Sequence, residues 1–321
     1  MPRIVKAVLR QVFIALATLL VLSVVTFLAV NAGRSPDDLA TQALGPHASA
    51  AERTAFIHTY DLQQPIAERY ARWLGDFAHG DWGVSYITQR PVQPDVTVRL
   101  ERSLILAAAS LAIALPLSLV LGLFMARWWG SVREEIVGLV VIFVNALPEF
   151  VIGTGLIILL AVQLKWLPPN SAVLAFGGVG SSPTPYVLPV ITLVAATTPY
   201  LARVTRAATR EALAAPYARA AVLRGLGRQR ILWDHVMRNA AVSIVNAVAI
   251  NIVYLVGGVI VVENVFAFPG VGQALIQAIG NNDAITVEAV SLAMGAIFIA
   301  TSLLADLAVI YFNPRLRRAA A

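Results

Sequence analysis

Apolar residues gather into six runs along the chain: roughly Val8–Val30, Ser103–Ala126, Ile136–Leu164, Val187–Ala202, Ala240–Val262 and Val287–Tyr311. A helix needs about 20 mostly apolar residues to cross the hydrocarbon core of a bilayer, so the pattern predicts six membrane-spanning helices. The fourth run is short and must borrow flanking residues. The first follows Arg3, Lys6 and Arg10, as in a signal peptide. Its apolar stretch is long for one, however, since such cores hold about 7–15 residues. With Met1 opening the sequence, a retained span is expected.

The polar residues between the runs divide unevenly. A long stretch, Asn31–Arg102, separates the first two runs. Within it Ser49 is a candidate helix cap ahead of "AERTAFIHTYDL". "GDWGVS" (80–85) and "RPVQPD" (90–95) read as turns. The expected organisation is a first span over 1–31, a loop region over 32–102, and a core over 103–321 whose five spans enclose a polar loop at 206–239. No internal repeat and no low-complexity segment is evident.

Composition agrees with the pattern. Hydrophobic residues make up 58% and charged residues 13%, against about 25% charged in soluble domains. The net charge of +6 would suit a nucleic-acid partner, but in a chain this apolar the positive-inside bias is the better explanation and no nucleic acid is expected. Six spans put both termini on one side. That side collects most of the Lys and Arg, at the N-terminus, at Arg127 and Arg133, in the 203–238 segment and at Arg315, Arg317 and Arg318. Both termini are therefore expected to be cytoplasmic, and the 32–102 loop external. Cysteine is absent, which rules out disulfides and thiol chemistry.

Catalytic patterns are lacking. No G-x-x-x-x-G-K-[ST] occurs, so the chain has no phosphate-binding loop of its own. His47, His58, His79 and His235 fit no metal-binding spacing, and no metal site is expected. No G-x-S-x-G elbow appears. The expected spans contain two evident carboxylates, Glu149 and Asp306, thin support for ion-coupled transport. "NALPEF" places Pro148 inside the third run beside Asn145, and "TTPY" places Pro199 in the fourth beside Thr197 and Thr198. Such kinks suit a translocation path and ordinary bundle packing equally. Asn251 and Tyr254 are i, i+3 neighbours in the fifth run; they line a polar path or hydrogen-bond between helices. "FPGVG" supplies a turn in which Pro269 fixes φ and Gly270 and Gly272 permit unusual angles. With Phe268 it is a candidate gate, docking surface or structural turn.

The segment from Glu211 to Ala240 combines arginines with helix-prone residues between two apolar runs. Pro216 starts a helix, "YARAAVLR" continues it, and Gly225 and Gly227 supply the stop. The helix is expected to present Tyr217, Ala220, Ala221 and Leu223 among arginines, either as a docking knob for another protein or as a basic loop against anionic lipid headgroups.

This segment resembles the cytoplasmic "EAA" loop of ABC-importer permeases in the form used by the dipeptide/oligopeptide/nickel family. The residues that carry the likeness are Glu211, Leu213, Tyr217, Arg219, Ala221, Gly225 and Leu226, then His235, Arg238, Asn239 and Ala240. The chain departs from the pattern at Val222, Leu223 and Arg224. "TYDLQQPIAERYARWL" (59–74), "GDWGVS", "VVENVFAFPGVGQALIQAIGNND" (261–283) and "NPRLR" (313–317) are similar to further motifs of that family, in the same order. The long first loop fits its B-type permease.

The resemblance implies a six-helix permease of the type I importer fold, in a bacterial inner membrane and surrounded by its lipid. It would be paired with a second permease, two ATPase subunits and an external substrate-binding protein. ATP and magnesium would belong to the ATPases, with no cofactor in this chain. Glu211, Tyr217, Arg219, Ala220, Ala221, Leu223, Arg224 and Gly225 would form the coupling surface. Asn145, Pro148, Asn251, Tyr254, Phe268, Pro269 and Gly270 are the candidate path or gate residues. An ion-coupled secondary transporter and a non-transporting scaffold are the alternatives.

Overall fold

A computed structural model describes residues 2–85, 87–175 and 183–312. The tail motif "NPRLR" lies outside the described residues. Among the described residues thirteen α-helices run in chain order. They are α1 (Pro2–Asn31), α2 (Pro36–Leu44), α3 (Ala50–Thr59), α4 (Ile66–Ala78), α5 (Val92–Arg127), α6 (Val132–Ala146), α7 (Glu149–Leu156), α8 (Thr184–Ala214), α9 (Pro216–Leu223), α10 (Arg228–Arg230), α11 (Arg238–Val265), α12 (Val271–Gly280) and α13 (Ala284–Phe312). Two π-type stretches, Ile157–Gln163 and Ile231–Met237, extend α7 and lead into α11. Among the described residues the only β-pairing is an isolated bridge between Val84 and Pro91. The protein is all-helical.

Among the described residues five helical segments are long and apolar enough to cross a membrane, within α1, α5, α8, the Ile231–Val265 stretch and α13. The third expected span differs from a straight rod. It breaks between Ala146 and Glu149, and its halves, Val132–Ala146 and Glu149–Gln163, meet at 102°. Each half has 15 residues, about 22 Å of helix and too short to cross alone. Counted as one broken span, the pair brings the total to the six expected. The break follows from Pro148. It has no N–H to continue α6, and Leu147 ahead of it takes the extended conformation that a pre-proline residue favours (φ −86°, ψ 129°).

The described residues form two compact units: one of Leu104–Phe268 with the segments 2–8 and 301–312, the other of Leu9–Ser103 with Pro269–Ala300. In the first, Leu188, Leu193 and Val194 of α8 pack with Leu255, Val259 and Val262 of α11, and with Leu106, Phe266 and Phe268. Tyr186 meets Phe268 edge-on, with ring centroids 5.1 Å apart. Close approach between α5 and α8 rests on Gly122: a Cβ there would lie 2.7 Å from the Ala202 carbonyl and 2.5 Å from Thr205 Cβ.

α8 stays helical through both Pro189 and Pro199. Pro189 cannot donate to the carbonyl four residues back, that of Pro185. The buried Ser171 hydroxyl donates to that carbonyl instead, at 2.6 Å. A backbone acceptor that a proline would otherwise strand is thereby satisfied.

In the second unit, α2 and α3 each begin with a capping box, Ser35 with Asp38 and Ser49 with Glu52. Leu39, Ala40, Phe56, Ile57 and Leu62 form their shared core. Phe27, Tyr70, Trp73, Phe77 and Trp82 make a continuous run of ring contacts. "GDWGVS" is irregular as expected, with Gly80 and Gly83 at φ 92° and 81°. "RPVQPD" is not a turn. α5 already begins at Val92, and Pro94 falls in its first turn, where no intrahelical donor is lost.

The Ser49 cap gives a checkable result. Hydrogen bonds from the Ser49 backbone N–H and hydroxyl hold the Glu52 carboxyl below its ordinary value. A depressed carboxylate contributes stability above its unfolded pKa and loses it as pH falls through the folded one. Amide protection at the start of α3, followed by hydrogen exchange, is expected to weaken as the pH falls below the ordinary glutamate pKa of about 4.3. In Ser49→Ala that pH dependence is expected to disappear.

Candidate functional site

The loop helix α9 starts where the sequence placed it. Pro216 occupies the first helical position, and the Ala215 carbonyl accepts from Ala218 and Arg219. It stops at Gly225 (φ 75°). The Gly225 N–H donates to the Val222 carbonyl at 2.9 Å and the Leu226 N–H to the Ala221 carbonyl at 3.3 Å. This pair of bonds is the Schellman ending, which needs a left-handed residue.

The helix has two faces. Ala218 and Ala221 are buried, and Ala221 packs with Ala208, Ala212, Ile231, Val236 and Ala240. Ala221 is therefore not presented outward as expected; it fastens α9 to the neighbouring helices. Glu211, Arg219, Ala220, Arg224 and Gly225 are exposed, as are Tyr217 and Val222. Leu223 is 89% exposed, an apolar tip at the end of the helix.

Beside α9 a cavity of about 460 Å³ is lined by Glu211, Tyr217, Arg238, Asn239 and small residues of α8 and α11. Partial burial, with a contribution from the Glu211 charge, pushes the Tyr217 phenol above its ordinary value, so it stays a neutral hydrogen-bond donor. Nearby, Arg206 pairs with the buried Glu134 carboxylate at 2.5 Å. Arg206 and Arg210 also lie over the Trp129 ring, at 4.7 Å and 4.6 Å from its centroid. These contacts fix the base of α8, from which α9 projects.

A second cavity lies in the same unit, at the 102° break. It encloses about 300 Å³ and is lined by Asn145, Leu147, Glu149, Tyr200, Asn251 and Tyr254 among others. Three expected path residues, Asn145, Asn251 and Tyr254, thus meet around it, and exposed Pro148 forms the break beside it. Glu149, which the sequence marked as a span carboxylate, joins them.

The expected gate is different. Phe268 is fully buried in the hydrophobic core against Tyr186, and Pro269 and Gly270 are also buried. Gly270 has φ −103° and ψ −177°, ordinary extended backbone, and caps α12; Gly272 lies inside α12. The left-handed residue of this turn is Ala267 (φ 47°). α11 runs on to Val265, past the expected end at Val262. Its Schellman ending, Phe268 N–H to Glu263 carbonyl and Ala267 N–H to Asn264 carbonyl, therefore falls on an alanine. "FPGVG" is thus a buried segment, which fits the structural turn among its expected readings.

Sequence reading overlooked two carboxylates. Glu263 and Glu288 are both buried. Glu288 accepts a hydrogen bond from Asn31 Nδ2, whose Oδ1 in turn accepts from Arg69. Each lies at the edge of an apolar run, which a hydropathy average reads as membrane surface. The available signal was an acidic residue directly abutting an uninterrupted apolar run. Asp306, by contrast, is exposed on α13. A further cavity of about 680 Å³ in the second unit is bordered by Ser85, Arg90, Asp95, Arg99, Asn281 and Asp283. It joins "GDWGVS" to the end of the 261–283 segment through a Ser85–Asp283 hydrogen bond.

Comparison with known proteins agrees with this architecture. Residues 118–318 match the family described as "Binding-protein-dependent transport system inner membrane component". A probable peptide ABC transporter permease of Sinorhizobium fredii is 28% identical over 310 residues, 97% of this chain and 98% of that protein. The glutathione transport system permease GsiC of Escherichia coli K12 is 29% identical with the same coverage. These relatives lend no support to the ion-coupled alternative. With the matched region covering most of the chain, the protein belongs to the binding-protein-dependent transport system inner membrane components: it is a multi-pass permease subunit of an ABC importer, not an enzyme.

Proposed function

We propose that the chain is one of two different permeases that together form the path of an importer for short peptides or a related solute, and that α9 is the helix gripped by an ATPase subunit. Two ATPases, carrying ATP and magnesium, would act from the cytoplasmic side, where both termini lie, and a substrate-binding protein would deliver cargo from outside. The observation that carries the reading is the construction of α9. One face is fastened to α8 and α11 through Ala218 and Ala221. The opposite side ends in a fully displayed leucine among Arg219 and Arg224. A rigid helix tied to two membrane helices at its root and apolar at its tip transmits a push as a body. The named cargoes of the relatives, peptide and glutathione, support the substrate class.

The test is reconstitution of the complete assembly in proteoliposomes with its binding protein. Radiolabelled dialanine or glutathione is expected to accumulate only with hydrolysable ATP. Uptake by this chain alone, driven by a proton or sodium gradient, would overturn the reading.

A further inference from the structure

The cavity at the helix break has a chemical bias. Its charged group is the Glu149 carboxylate. That carboxylate rests on the bare backbone of Gly258, where a Cβ would stand 2.9 Å from Oε1. The Tyr254 hydroxyl is within hydrogen-bonding reach of it. Among the described residues Glu149 forms no ion pair. A carboxylate at membrane depth without a counter-charge is costly, and such groups mark ion or substrate paths.

A second, independent feature points the same way. Asn251 is only 3% exposed and lines the cavity. Its Nδ2 lies 3.5 Å from the Thr197 carbonyl, while its Oδ1 has no hydrogen-bond partner. A buried acceptor left unmet costs about 1–3 kcal/mol, so this site lacks a donor. Glu149 and Asn251 therefore ask for one group that is both positively charged and rich in N–H. Tyr200 and Tyr254 add aromatic rings, whose faces attract cations.

We infer that this cavity is a subsite for a primary ammonium group on the transported solute. An ammonium presents three donors and one charge: enough to pair with Glu149, satisfy Asn251 Oδ1 and leave one donor for Asn145 or water. In a peptide importer that group is the free amino end of the cargo; this assignment of the cargo rests on the function proposed above, whereas the preference of the cavity for an ammonium does not.

The experiment uses the intact transporter in nanodiscs without its binding protein. Saturation-transfer NMR titrations compare alaninamide, protonated at about pH 6.5, with neutral N-acetylalaninamide. Alaninamide is expected to bind and the acetylated probe not to. Glu149→Gln is expected to weaken alaninamide binding at least tenfold, and Glu149→Asp to recover most of it. Asn251→Leu removes the orphan acceptor while keeping the charge, and is expected to weaken binding about threefold, as for loss of one hydrogen bond. Equal binding of the two probes, or unchanged alaninamide binding in whichever of the variants assemble, would overturn the inference. If alaninamide binds as described while dialanine is not taken up by the complete assembly, the peptide-importer reading fails and the ammonium subsite stands.

Discussion

Leu223→Glu in the complete transporter is expected to reduce ATP-driven uptake to below about a tenth of wild type while leaving the permease folded. The side chain is 89% exposed and takes no part in the core under α9, so the folded chain loses nothing by the change. In the proposed assembly, burying a leucine against the ATPase contributes about 2 kcal/mol, and burying a carboxylate there instead adds a desolvation cost. A loss of ~1.4 kcal/mol already corresponds to tenfold. Uptake is read in proteoliposomes, and folding by the monodispersity and melting of the purified assembly. Unchanged uptake would remove α9 from the coupling role. Ala221→Glu is the contrasting variant. Because Ala221 is buried against Ala208, Ala212 and Ile231, it is expected to lower stability itself rather than uncouple a stable assembly.

Gly122→Val is expected to produce the largest loss of stability. The added Cβ would meet the Ala202 carbonyl at 2.7 Å and Thr205 Cβ at 2.5 Å. The first of these is helix backbone, which cannot rotate away. Relief requires α5 and α8 to separate, at a cost of about 3 kcal/mol, the upper range for overpacking. A fall in melting temperature on the order of 5 °C or more, with reduced yield, is the expected readout. Gly155→Ala is the control: nothing lies within 4 Å of the added carbon, and no comparable loss is expected.

Much of this architecture was legible because it is set by local rules. Apolar runs of sufficient length can only be helices in a bilayer. Pro148 marked the interruption in the third run, and Ser49 and Gly225 marked the start of α3 and the end of α9. What local rules could not supply was depth and facing. Ala220 and Ala221 are identical in kind, and only the packing of α8, Ile231–Met237 and α11 decides that one is covered and the other displayed. The glycines of "FPGVG" were the natural candidates for a left-handed turn. The helix before them runs three residues longer than its apolar pattern, so the turn fell on Ala267. Glu263 and Glu288 escaped notice because averaging over a window dilutes one charge at its edge. The gathering of Asn145, Glu149, Asn251 and Tyr254 required knowing which way a chain bends at 102°.

That bend bears on the fate of the protein before assembly. Where α6 stops, the Leu147 N–H still donates to the Val144 carbonyl, but no further helical turn follows to supply donors to the carbonyls after it, and lipid offers none. Newly inserted chains awaiting their companions would thus carry incompletely paired backbone within the bilayer. Synthesis out of balance with the other subunits should leave an orphan that membrane quality-control proteases remove, so the stoichiometry of the complex would be enforced by degradation of whichever copy stays single.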